Sequence, residues 1–466
     1  MAVVSLPGPE LTTTDIAAAI PASVHDQLRT LWANGHAAYV VGGSLRDVLL
    51  GRDPEDWDLT TSARPEVVRS IFADARYENA FGTVGVPTND EAVGVVEITT
   101  MRSDHAYADH RRPHHVEFTD DLEADLARRD LTINAIAWGA GPSTLVPDVV
   151  DPFGGRGDLI AGVLRAVGDP RTRFDEDALR MLRTIRLATT LGFGIEPATL
   201  AGIQARADLV GHLSGERIAE ELRRMLAAAV PSVAFRLLAD TGVLEPISPE
   251  LARQRGVPQN KIVGEDLWDH TLRAVDGAAT DPPSIRMAAL LHDIGKPATM
   301  ADGRFLGHDV LGAAMADDLL ERWRWPRLER ERIVHLIRLH MYGYTPDWSD
   351  AAVRRFIAKV GPDHLHDLFL LREADNVGSG RARDGGGLAE IRMRVSAQLE
   401  AGVVLSMHDL AIDGDDLMAE LGLRPSPRLG AILRDLLNRA IADPTINTRE
   451  RLLAVARTLV DDPGTP

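Results

Sequence analysis

The chain has 466 residues, with 51 Lys and Arg against 69 Asp and Glu, which gives a formal net charge of −18. Such a charge argues against a protein that binds nucleic acid through its overall charge. The absence of cysteine excludes disulfides, thiolate metal sites and thiol nucleophiles. The composition is that of an ordinary globular protein, and its apolar runs are shorter than the roughly 18 residues of a membrane span. We therefore expect a cytoplasmic protein with no membrane partner.

The beginning of the chain shows a mixed α/β pattern, and the remainder is mainly helical. Apolar residues recur at helical spacing over residues 14–34, and Ala37–Val41 predicts a short buried strand that leads through two glycines into a helix at Ser44–Leu50. Further strands are predicted at Trp57–Leu59, Val93–Met101 and His115–Phe118. Helical spacing dominates from Phe174 onward. The sequence therefore predicts an α+β protein.

A glycine turn and an acidic pair form the first candidate site. Gly42 and Gly43 lie between a strand and a helix, where backbone amides can approach a phosphate, and Arg46 follows about one helical turn later. A tight packing turn would have the same sequence. Asp56 and Asp58 lie on a predicted strand, where residues two apart point to the same side, so their carboxylates suit Mg²⁺. A solvated acidic turn is the alternative for this pair alone, and the nearby glycine turn favours the magnesium site.

Glu97 is the candidate third ligand of that metal and a candidate catalytic carboxylate. It interrupts an apolar, β-branched run, where a charge is costly unless it is paired or bound to a metal. A simple salt bridge explains the same pattern equally well, so the run alone leaves both interpretations open.

Four motifs follow one another along the chain. They are Gly42-Gly43-x-x-Arg46-Asp47, Asp56-x-Asp58, the run Arg128–Ala135 and the run Glu176–Arg180. In this order they resemble the motifs of class II tRNA nucleotidyltransferases, the branch of the DNA polymerase beta superfamily that contains CCA-adding enzymes and bacterial poly(A) polymerases. The resemblance implies a nucleotidyltransferase head and a two-metal nucleotidyl transfer in which Asp56 and Asp58 hold Mg²⁺.

The same resemblance implies which residues contact the nucleotide. Gly43 and Arg46 would contact the ribose and the triphosphate. Arg129 would bind the triphosphate, with its neighbour Arg128 as the alternative.

A stripe of charged residues is predicted on the helix that begins near Phe174. Asp177, Arg180, Arg183 and Arg186 recur every three residues, which is also the spacing of a surface ion-pair ladder. Cytosine and adenine each present an amino donor beside a ring-nitrogen acceptor, so a carboxylate beside a guanidinium suits both and rejects uracil and guanine. We interpret Asp177 with Arg180 as that pair, and the other two arginines as supporting nucleotide contacts, roles that the resemblance also implies.

The next predicted helix, Gly215–Leu226, resembles the supporting neck motif of the family. Its Arg217 and Glu220 are three residues apart, which places them on one side of a helix. We interpret them as a structural ion pair rather than as catalytic groups.

Histidines and aspartates mark a further region of the chain. The set is His270, His292, Asp293, His308, His340 and Asp375. The adjacent His292 and Asp293 lie in an apolar helical run, where metal ligation would satisfy both. The order resembles the HD superfamily of metal-dependent phosphohydrolases, which implies a divalent metal of unknown identity at His270, His292, Asp293 and Asp375. It also implies hydrolysis of phosphorylated or cyclic RNA ends, and a relict metal fold is the alternative.

The motifs together predict four regions and one leading function. The regions are a nucleotidyltransferase head at 1–155, a base-recognising neck at 156–235, a helical body with the HD domain at 236–390, and a helical tail that contacts tRNA at 391–466. The predicted function is addition or repair of the 3′-terminal CCA of tRNA from CTP and ATP, without a nucleic-acid template.

Three other functions share parts of this pattern. A poly(A) polymerase or an A-adding enzyme has the same motifs. Residues 401–466, with seven Arg against ten Asp and Glu, are too acidic for the basic tail expected of a poly(A) polymerase. An HD phosphohydrolase with an RNA-binding head is the alternative from a different class, and the intact Asp56 and Asp58 argue against it.

Overall fold

The chain is divided into two units between residues 252 and 253. The computed structural model describes residues 11–77, 82–107, 113–142, 144, 146–259 and 261–461. The first unit is Met1–Ala252 and the second unit is Arg253–Pro466. The division lies inside the predicted body at 236–390, because the helical residues just before 252 pack within the first unit. The four predicted regions remain a proposal.

A mixed β-sheet forms the centre of the first unit. The strands are β1 (Ala38–Val41), β2 (Trp57–Thr61), β3 (Arg76–Tyr77), β4 (Thr83–Pro87), β5 (Val95–Thr100), β6 (Arg102–Tyr107), β7 (Pro113–Phe118), β8 (Ala137–Ala140), β9 (Asp148–Val150), β10 (Val163–Leu164) and β11 (Gly194–Ile195). Within the described residues, seven of them form one sheet in the order β3-β4-β5-β2-β1-β8-β9. Strands β2 and β5 run parallel, and the other neighbouring pairs of this sheet run antiparallel. The predicted strand at His115–Phe118 pairs with β6 in a separate hairpin.

Both faces of the sheet are covered, which explains why β1 is apolar at every position. Val40 and Leu59 belong to one apolar core together with residues of the N-terminal helices, whereas Tyr39 and Val41 belong to a core on the opposite face. Alternate residues of a strand point to opposite faces, so a strand covered on both sides has no polar face.

The helices of the first unit begin and end as follows. They are α1 (Thr13–Ala19), α2 (Ala22–Ala33), α3 (Gly42–Leu49), α4 (Pro65–Ile71), α5 (Leu122–Ala127), α6 (Gly155–Ala161), α7 (Pro170–Glu176), α8 (Leu179–Leu191), α9 (Pro197–Arg206), α10 (Gly215–Ala227), α11 (Ser232–Asp240), α12 (Leu244–Ile247) and α13 (Pro249–Ala252). The single helix predicted from Phe174 is two helices. Asp177 separates them, because its backbone is extended, with φ −144° and ψ 108°.

The second unit is helical throughout its regular structure in the described range. Its helices are α14 (Leu267–Gly277), α15 (Ser284–Leu291), α16 (Lys296–Thr299), α17 (His308–Arg322), α18 (Arg327–Leu339), α19 (Asp350–Val360), α20 (Pro362–Gly378), α21 (Leu388–Glu400), α22 (Gly414–Leu421), α23 (Pro427–Ala442) and α24 (Arg449–Asp461). Helices α22 to α24 enclose an apolar core of their own around Leu417, Leu436 and Leu452. A sheet-containing region followed by helices confirms the predicted α+β class. Among the described helices, we find none with the length and apolar character needed to span a membrane.

Candidate active site and metal centre

The glycine turn brings the start of α3 against the acidic pair. Gly42 has φ +74°, a conformation that favours glycine. A Cβ atom at Gly42 would lie 3.3 Å from Oδ2 of Asp58 and 3.2 Å from Nη1 of Arg129. Ser44 connects the two segments, because its hydroxyl donates to the Val41 carbonyl and accepts from the Asp58 amide. The turn therefore holds a carboxylate and a guanidinium close to the backbone.

Asp56 and Asp58 flank the buried Trp57 at the start of β2, as the period of a strand predicts. Asp56 is exposed, and Asp58 is only partly so. Burial raises the pKa of Asp58 to about 6, and the negative charge of Asp56 adds to this shift. A carboxylate whose ionised form is disfavoured by burial and by a neighbouring negative charge is suited to hold a cation.

Glu97 lies beside Asp58 on the neighbouring strand β5. Its side chain is exposed while Val96 and Ile98 are buried, so the inference that the apolar run buries this charge is wrong. The strand alternates, and Glu97 occupies the polar face. Its charge contributes to the raised pKa of Asp58.

A buried carboxylate, Asp125, separates the roles of the two candidate triphosphate-binding arginines. Arg128 donates to Oδ1 of Asp125 through both Nε and Nη2, at 3.0 and 2.7 Å. Arg129 reaches Oδ2 of Asp125 at 3.4 Å, and its other terminal nitrogen lies next to Asp58 and the glycine turn. This geometry favours Arg129 over Arg128 as the nucleotide contact. Asp125 has no exposed surface, so it acts as an anchor for both arginines.

A chain of polar contacts connects the first helix of the site with α8. Arg46 binds Asp47 with two nitrogens and donates to Oδ1 of Asn134 at 3.0 Å. Asn134 donates to Asp130, which also accepts from Nε of Arg183 at 2.7 Å. Burial alone would raise the pKa of Asp130, but Arg183 and Asn134 hold it far below its usual range. The motif Arg128–Ala135 thus contains two positioning residues, Asp130 and Asn134, to which the sequence pattern alone assigned no role.

A cavity of about 530 Å³ lies between these elements. Carboxylates and arginines account for most of its wall. The lining residues are Gly43, Arg46, Asp47, Arg52, Asp53, Glu55, Asp56, Asp58, Arg183, Arg186, Leu187, Thr190, Leu191, Arg224, Ala227 and Ala228. Arg52 and Arg224 were missed by the sequence reasoning. Arg224 lies on α10, and only the packing of α10 against α8 brings it to the cavity.

Asp177 and Arg180, which the sequence suggests as the base-reading pair, each have a different partner. Asp177 binds Arg217 of α10 at 2.8 Å, whereas Arg180 binds Glu176 and the backbone carbonyl of Arg128. Neither residue of the predicted pair lines the cavity. The reason is the extended backbone at Asp177, since the three-residue spacing places side chains on one face only within a continuous helix.

Three ion pairs involve residues of α10. Arg217 pairs with Asp177 and not with Glu220, which pairs instead with Arg224 at 2.9 Å. Arg186 of α8 binds the buried Glu221 at 2.6 Å. The pair of Arg186 and Glu221 joins α8 to α10 along one wall of the cavity.

The second unit brings the four predicted HD ligands together. Nε2 of His270 lies 3.2 Å from Oδ2 of Asp293 and 3.4 Å from Oδ1 of Asp375. Nε2 of His292 lies 3.1 Å from the same oxygen of Asp293. Burial opposes the ionised form of Asp293, but His292 and Lys296 hold the pKa of this carboxyl well below its usual range. His308 and His340, which had no assigned role, contact the other oxygen of Asp293.

Comparisons with known proteins also place the two candidate sites in different domains. Three family models match successive segments: the Poly A polymerase head domain at residues 38–165, the probable RNA and SrmB-binding site of polymerase A at 192–255, and the HD domain at 264–377. A CCA-adding enzyme of Levilactobacillus brevis is 33% identical over 432 residues, which are 92% of this chain and 95% of that protein. The chain belongs to the CCA-adding enzyme family.

Other members of the CCA-adding enzyme family add detail. An A-adding tRNA nucleotidyltransferase of Deinococcus radiodurans is also 33% identical, over 92% of this chain and 96% of that protein. The crystal structure of the Bacillus stearothermophilus CCA-adding enzyme in complex with CTP superposes with a TM-score of 0.69 at 26% identity, covering 94% of this chain and 97% of that one. Membership in the family confirms the predicted resemblance and makes this chain a nucleotidyltransferase. Both specificities occur among these relatives, and the CCA-adding enzymes reach 46% identity over 47% of this chain.

Proposed function

We propose that this chain adds or restores the complete 3′-terminal CCA of tRNA, using CTP and ATP, in the cytoplasm where tRNA matures. The observation that supports this function best is the cavity in which Asp56 and Asp58, Gly43 and a wall of arginines meet. Carboxylates there suit metal ions, and guanidinium groups suit a triphosphate. The proposal includes the four predicted regions, with the tail at 391–466 contacting tRNA.

The carboxylates fit Mg²⁺. Asp56 and Asp58 offer oxygen ligands, and Glu97 lies beside them on the next strand. The raised pKa of Asp58 reflects burial and neighbouring negative charges. A bound dication would offset this electrostatic cost of ionising the carboxyl. When bound there, Mg²⁺ supplies charge neutralisation at the triphosphate and activation of the attacking hydroxyl.

The arginines of the cavity are held in place before a nucleotide arrives. Arg46 is fixed by Asp47 and Asn134, and Arg183 is fixed by Asp130. Groups held in this way lose little conformational freedom when they bind an anion. They can therefore stabilise the charge of the transferred phosphate without rearranging. We assign triphosphate binding to Arg46, Arg129 and Arg183, with Gly42 and Gly43 allowing the close approach and Arg186 supporting α8.

For base selection, the structure offers a carboxylate and guanidinium in contact, Asp177 with Arg217. A base with an amino donor beside a ring-nitrogen acceptor would bind a carboxylate through its amino group and a guanidinium through its ring nitrogen. We assign acceptance of the amino group to Asp177, and donation to the ring nitrogen to Arg180 or Arg217. Cytosine and adenine both meet this requirement.

The addition assay tests the proposal. Purified protein is incubated with a tRNA that ends at the discriminator base, with each of the four nucleoside triphosphates separately and with CTP and ATP together. The expected products are C and CC from CTP, and CCA from the mixture. Addition of A only to a tRNA that already ends in CC would indicate an A-adding enzyme, and long A tails from ATP alone would indicate a poly(A) polymerase.

A second activity is supported by the HD ligands of the second unit. His270, His292, Asp293 and Asp375 converge within 3.1 to 3.9 Å. Such a donor set of nitrogen and oxygen atoms fits a divalent metal that activates water for attack on a phosphate ester. We propose hydrolysis of phosphorylated or 2′,3′-cyclic RNA ends, to be tested on such substrates with Ni²⁺, Co²⁺ or Mn²⁺. Failure of all of them after metal loading has been shown would indicate a relict site.

A further inference from the structure

The last three α-helices of the second unit form a module with its own apolar core. Helices α22 to α24 enclose Leu417, Leu436 and Leu452, and the buried members of this core all lie within residues 404–459. None of the described residues of α19 or α21 belongs to it. We call α22 to α24 the tail module. This core stabilises the module itself, so other contacts must fix the module to the rest of the second unit.

One arginine of α19 contacts the end of the longest helix of the tail module, α23. Nε of Arg354 donates to the Ile441 carbonyl at 2.6 Å, and Nη2 donates to the Ala442 carbonyl at 2.7 Å. Nη1 of the same side chain donates to Oε1 of Gln398, on α21, at 2.9 Å. A single guanidinium therefore joins α19, α21 and α23.

The end of α23 is suited to bind a cation. The last four carbonyls of a helix have no partner inside the helix, and the helix dipole makes that end negative. Helix α23 ends at Ala442, because the backbone of Asp443 is extended, with φ −136° and ψ 97°. The carbonyls that Arg354 binds are thus two of the four that the helix leaves open. A planar guanidinium can donate to both of them and to a side chain at the same time.

Arg354 is buried, and the acceptors that satisfy it are neutral. The residue is 8% exposed, and in the described part of the chain its guanidinium donates to two carbonyls and one amide oxygen, with no carboxylate among them. A buried charge is costly unless it is hydrogen-bonded. If the tail module turned away from α19, the guanidinium would lose two of its three acceptors. The contact therefore favours one orientation of the module over all others.

We propose that Arg354 is a positioning residue that fixes the orientation of the tail module and thereby its contact with tRNA. The inference rests on the proposed function, in which residues 391–466 contact tRNA. A module that is already held in the binding orientation loses little freedom when RNA binds, whereas a module that rotates binds only in the fraction of molecules with the correct orientation. Arg354 raises the affinity for tRNA in this way without contacting RNA or nucleotide.

A pair of spin labels in the full chain measures the orientation directly. The chain has no cysteine, so two introduced cysteines are the only thiols to label. Lys359→Cys on α19 and Arg457→Cys on α24 replace exposed residues. We expect one narrow distance distribution by pulsed electron spin resonance, and a broader distribution when Arg354→Met is added.

Kinetics measure the consequence for tRNA. With a CCA-less tRNA and CTP, Arg354→Met is expected to raise the KM for tRNA about tenfold, which corresponds to about a tenth of the molecules in the binding orientation. The value of kcat at saturating tRNA and the KM for CTP should stay within about twofold, because Arg354 does not line the cavity proposed for the nucleotide. Arg354→Lys keeps the charge but loses the planar set of donors, so we expect an intermediate KM for tRNA.

Arg439→Met is the matched control for loss of a positive charge near the same contact. Arg439 also lies on α23, where its half-exposed side chain pairs with Asp435 at 2.6 Å. We expect its distance distribution to stay narrow and its KM for tRNA to stay within about twofold. Equal increases of KM in Arg439→Met and Arg354→Met would show that charge explains the effect and would overturn the inference.

The outcomes also separate the inference from the proposed function. A distance distribution that stays narrow in Arg354→Met overturns the inference. A broad distribution with an unchanged KM for tRNA overturns it as well, and also removes the tail from the proposed tRNA contact. A wild-type protein that adds no nucleotide would instead overturn the proposed function, whatever the distances show.

A milder variant covers the case in which Arg354→Met fails to fold. Gln398→Leu removes one acceptor of Arg354 and leaves both carbonyls of α23 bound. We expect a slightly broader distance distribution and an increase of about threefold in the KM for tRNA. Thermal melting shows whether each variant is folded at the assay temperature. A folded Gln398→Leu protein with the wild-type distribution and the wild-type KM would contradict the role of Arg354.

Discussion

The two acidic centres of this chain offer metal ions opposite surroundings. In the first unit, Asp56 and Glu97 are exposed, Asp58 is partly exposed, and the candidate ligands are carboxylates beside a cavity lined by arginines. In the second unit, His270, His292 and Asp293 are each at most 2% exposed, and imidazoles predominate. The first arrangement suits a hard, exchangeable ion that arrives with a nucleotide, and the second suits a borderline ion that stays with the protein.

Each centre also has cations of its own, which serve different purposes. In the first unit, Arg46 and Arg183 are fixed by neighbouring polar groups and point their positive charge at the cavity. In the second unit, Lys261 and Lys296 contact the candidate metal ligands themselves. Positive charge that surrounds a cavity recruits an anionic substrate, whereas positive charge placed on the ligands competes with the metal.

The largest expected effect separates the two centres completely. Asp58→Asn is expected to lower the rate of nucleotide addition at least about 1000-fold, because it removes a metal ligand, and to leave Co²⁺ binding by the second unit unchanged. Asp293→Asn is expected to abolish Co²⁺ binding and leave addition within about twofold. Addition is measured on the CCA-less tRNA, with the surface variant Asp74→Asn as control. Loss of both properties in either variant would show that the two centres depend on each other.

The next effect concerns base selection, and it distinguishes two arginines of the first unit. If Arg217 donates to the base, Arg217→Ala should lower the preference for CTP and ATP over UTP and GTP by about 5- to 150-fold, the range for loss of a good bidentate contact. Arg180→Ala would then change selectivity little, since Arg180 is bound to Glu176 and to a backbone carbonyl. The reverse ranking assigns the donor role to Arg180. Unchanged selectivity in both variants would remove Asp177 and its partners from base reading.

The next expected effect is the pH dependence of magnesium binding at the first centre. Because the pKa of Asp58 is raised to about 6, protons compete with Mg²⁺ as the pH falls through that value. Below pH 6 we expect the Mg²⁺ concentration for half-maximal addition to rise about tenfold per pH unit. Saturating Mg²⁺ should suppress the effect. A half-maximal concentration that stays constant from pH 7 to pH 5 would contradict the assignment of Asp58 as a ligand.

The raised pKa of Asp58 also predicts how the stability of the metal-free protein depends on pH. A carboxyl whose pKa is raised on folding favours the folded state fully below its ordinary pKa near 3.8, and this contribution is lost as the pH rises through about 6. Asp58→Asn should therefore be more stable than the metal-free wild type at pH 7.5, and the difference should shrink toward pH 4. Thermal melting with chelator present at both pH values measures it. A difference that grows at low pH would reverse the sign and reject the assignment.

The smallest expected effect tests the polar network around Asp130. Asp130→Asn leaves Arg183 without its carboxylate partner, and we expect a loss of about 1–3 kcal/mol in the free energy of unfolding, together with a higher KM for nucleotide. The partly exposed pair of Asp175 and Arg206 is the control, because breaking a pair near the surface costs about 0–1 kcal/mol. Equal losses in both variants would show that Asp130 does not position Arg183.

The sequence by itself determined the local structure and the chemistry available. The alternation of Asp56, Trp57 and Asp58 and the apolar run of β1 depend on a two-residue period, and the helices depend on a period of 3.6, so short segments contain the whole signal. The order of motifs was sufficient for the family and the α+β class, and it named the four residues that converge in the HD region. Exposure of Glu97 was misjudged, because an apolar run does not reveal which face of a strand the sheet covers.

Only the tertiary structure decided which charged groups meet. Asp177 binds Arg217, which lies 40 residues away along the chain, because a break between α7 and α8 moves it off the helix face that its spacing suggests. Arg224 reaches the cavity through the packing of α10, and the two oxygens of Asp293 acquire different histidine partners through the packing of α17 and α18 around it. Such pairings depend on how elements that are distant along the chain pack together. No periodic pattern in the sequence records that packing.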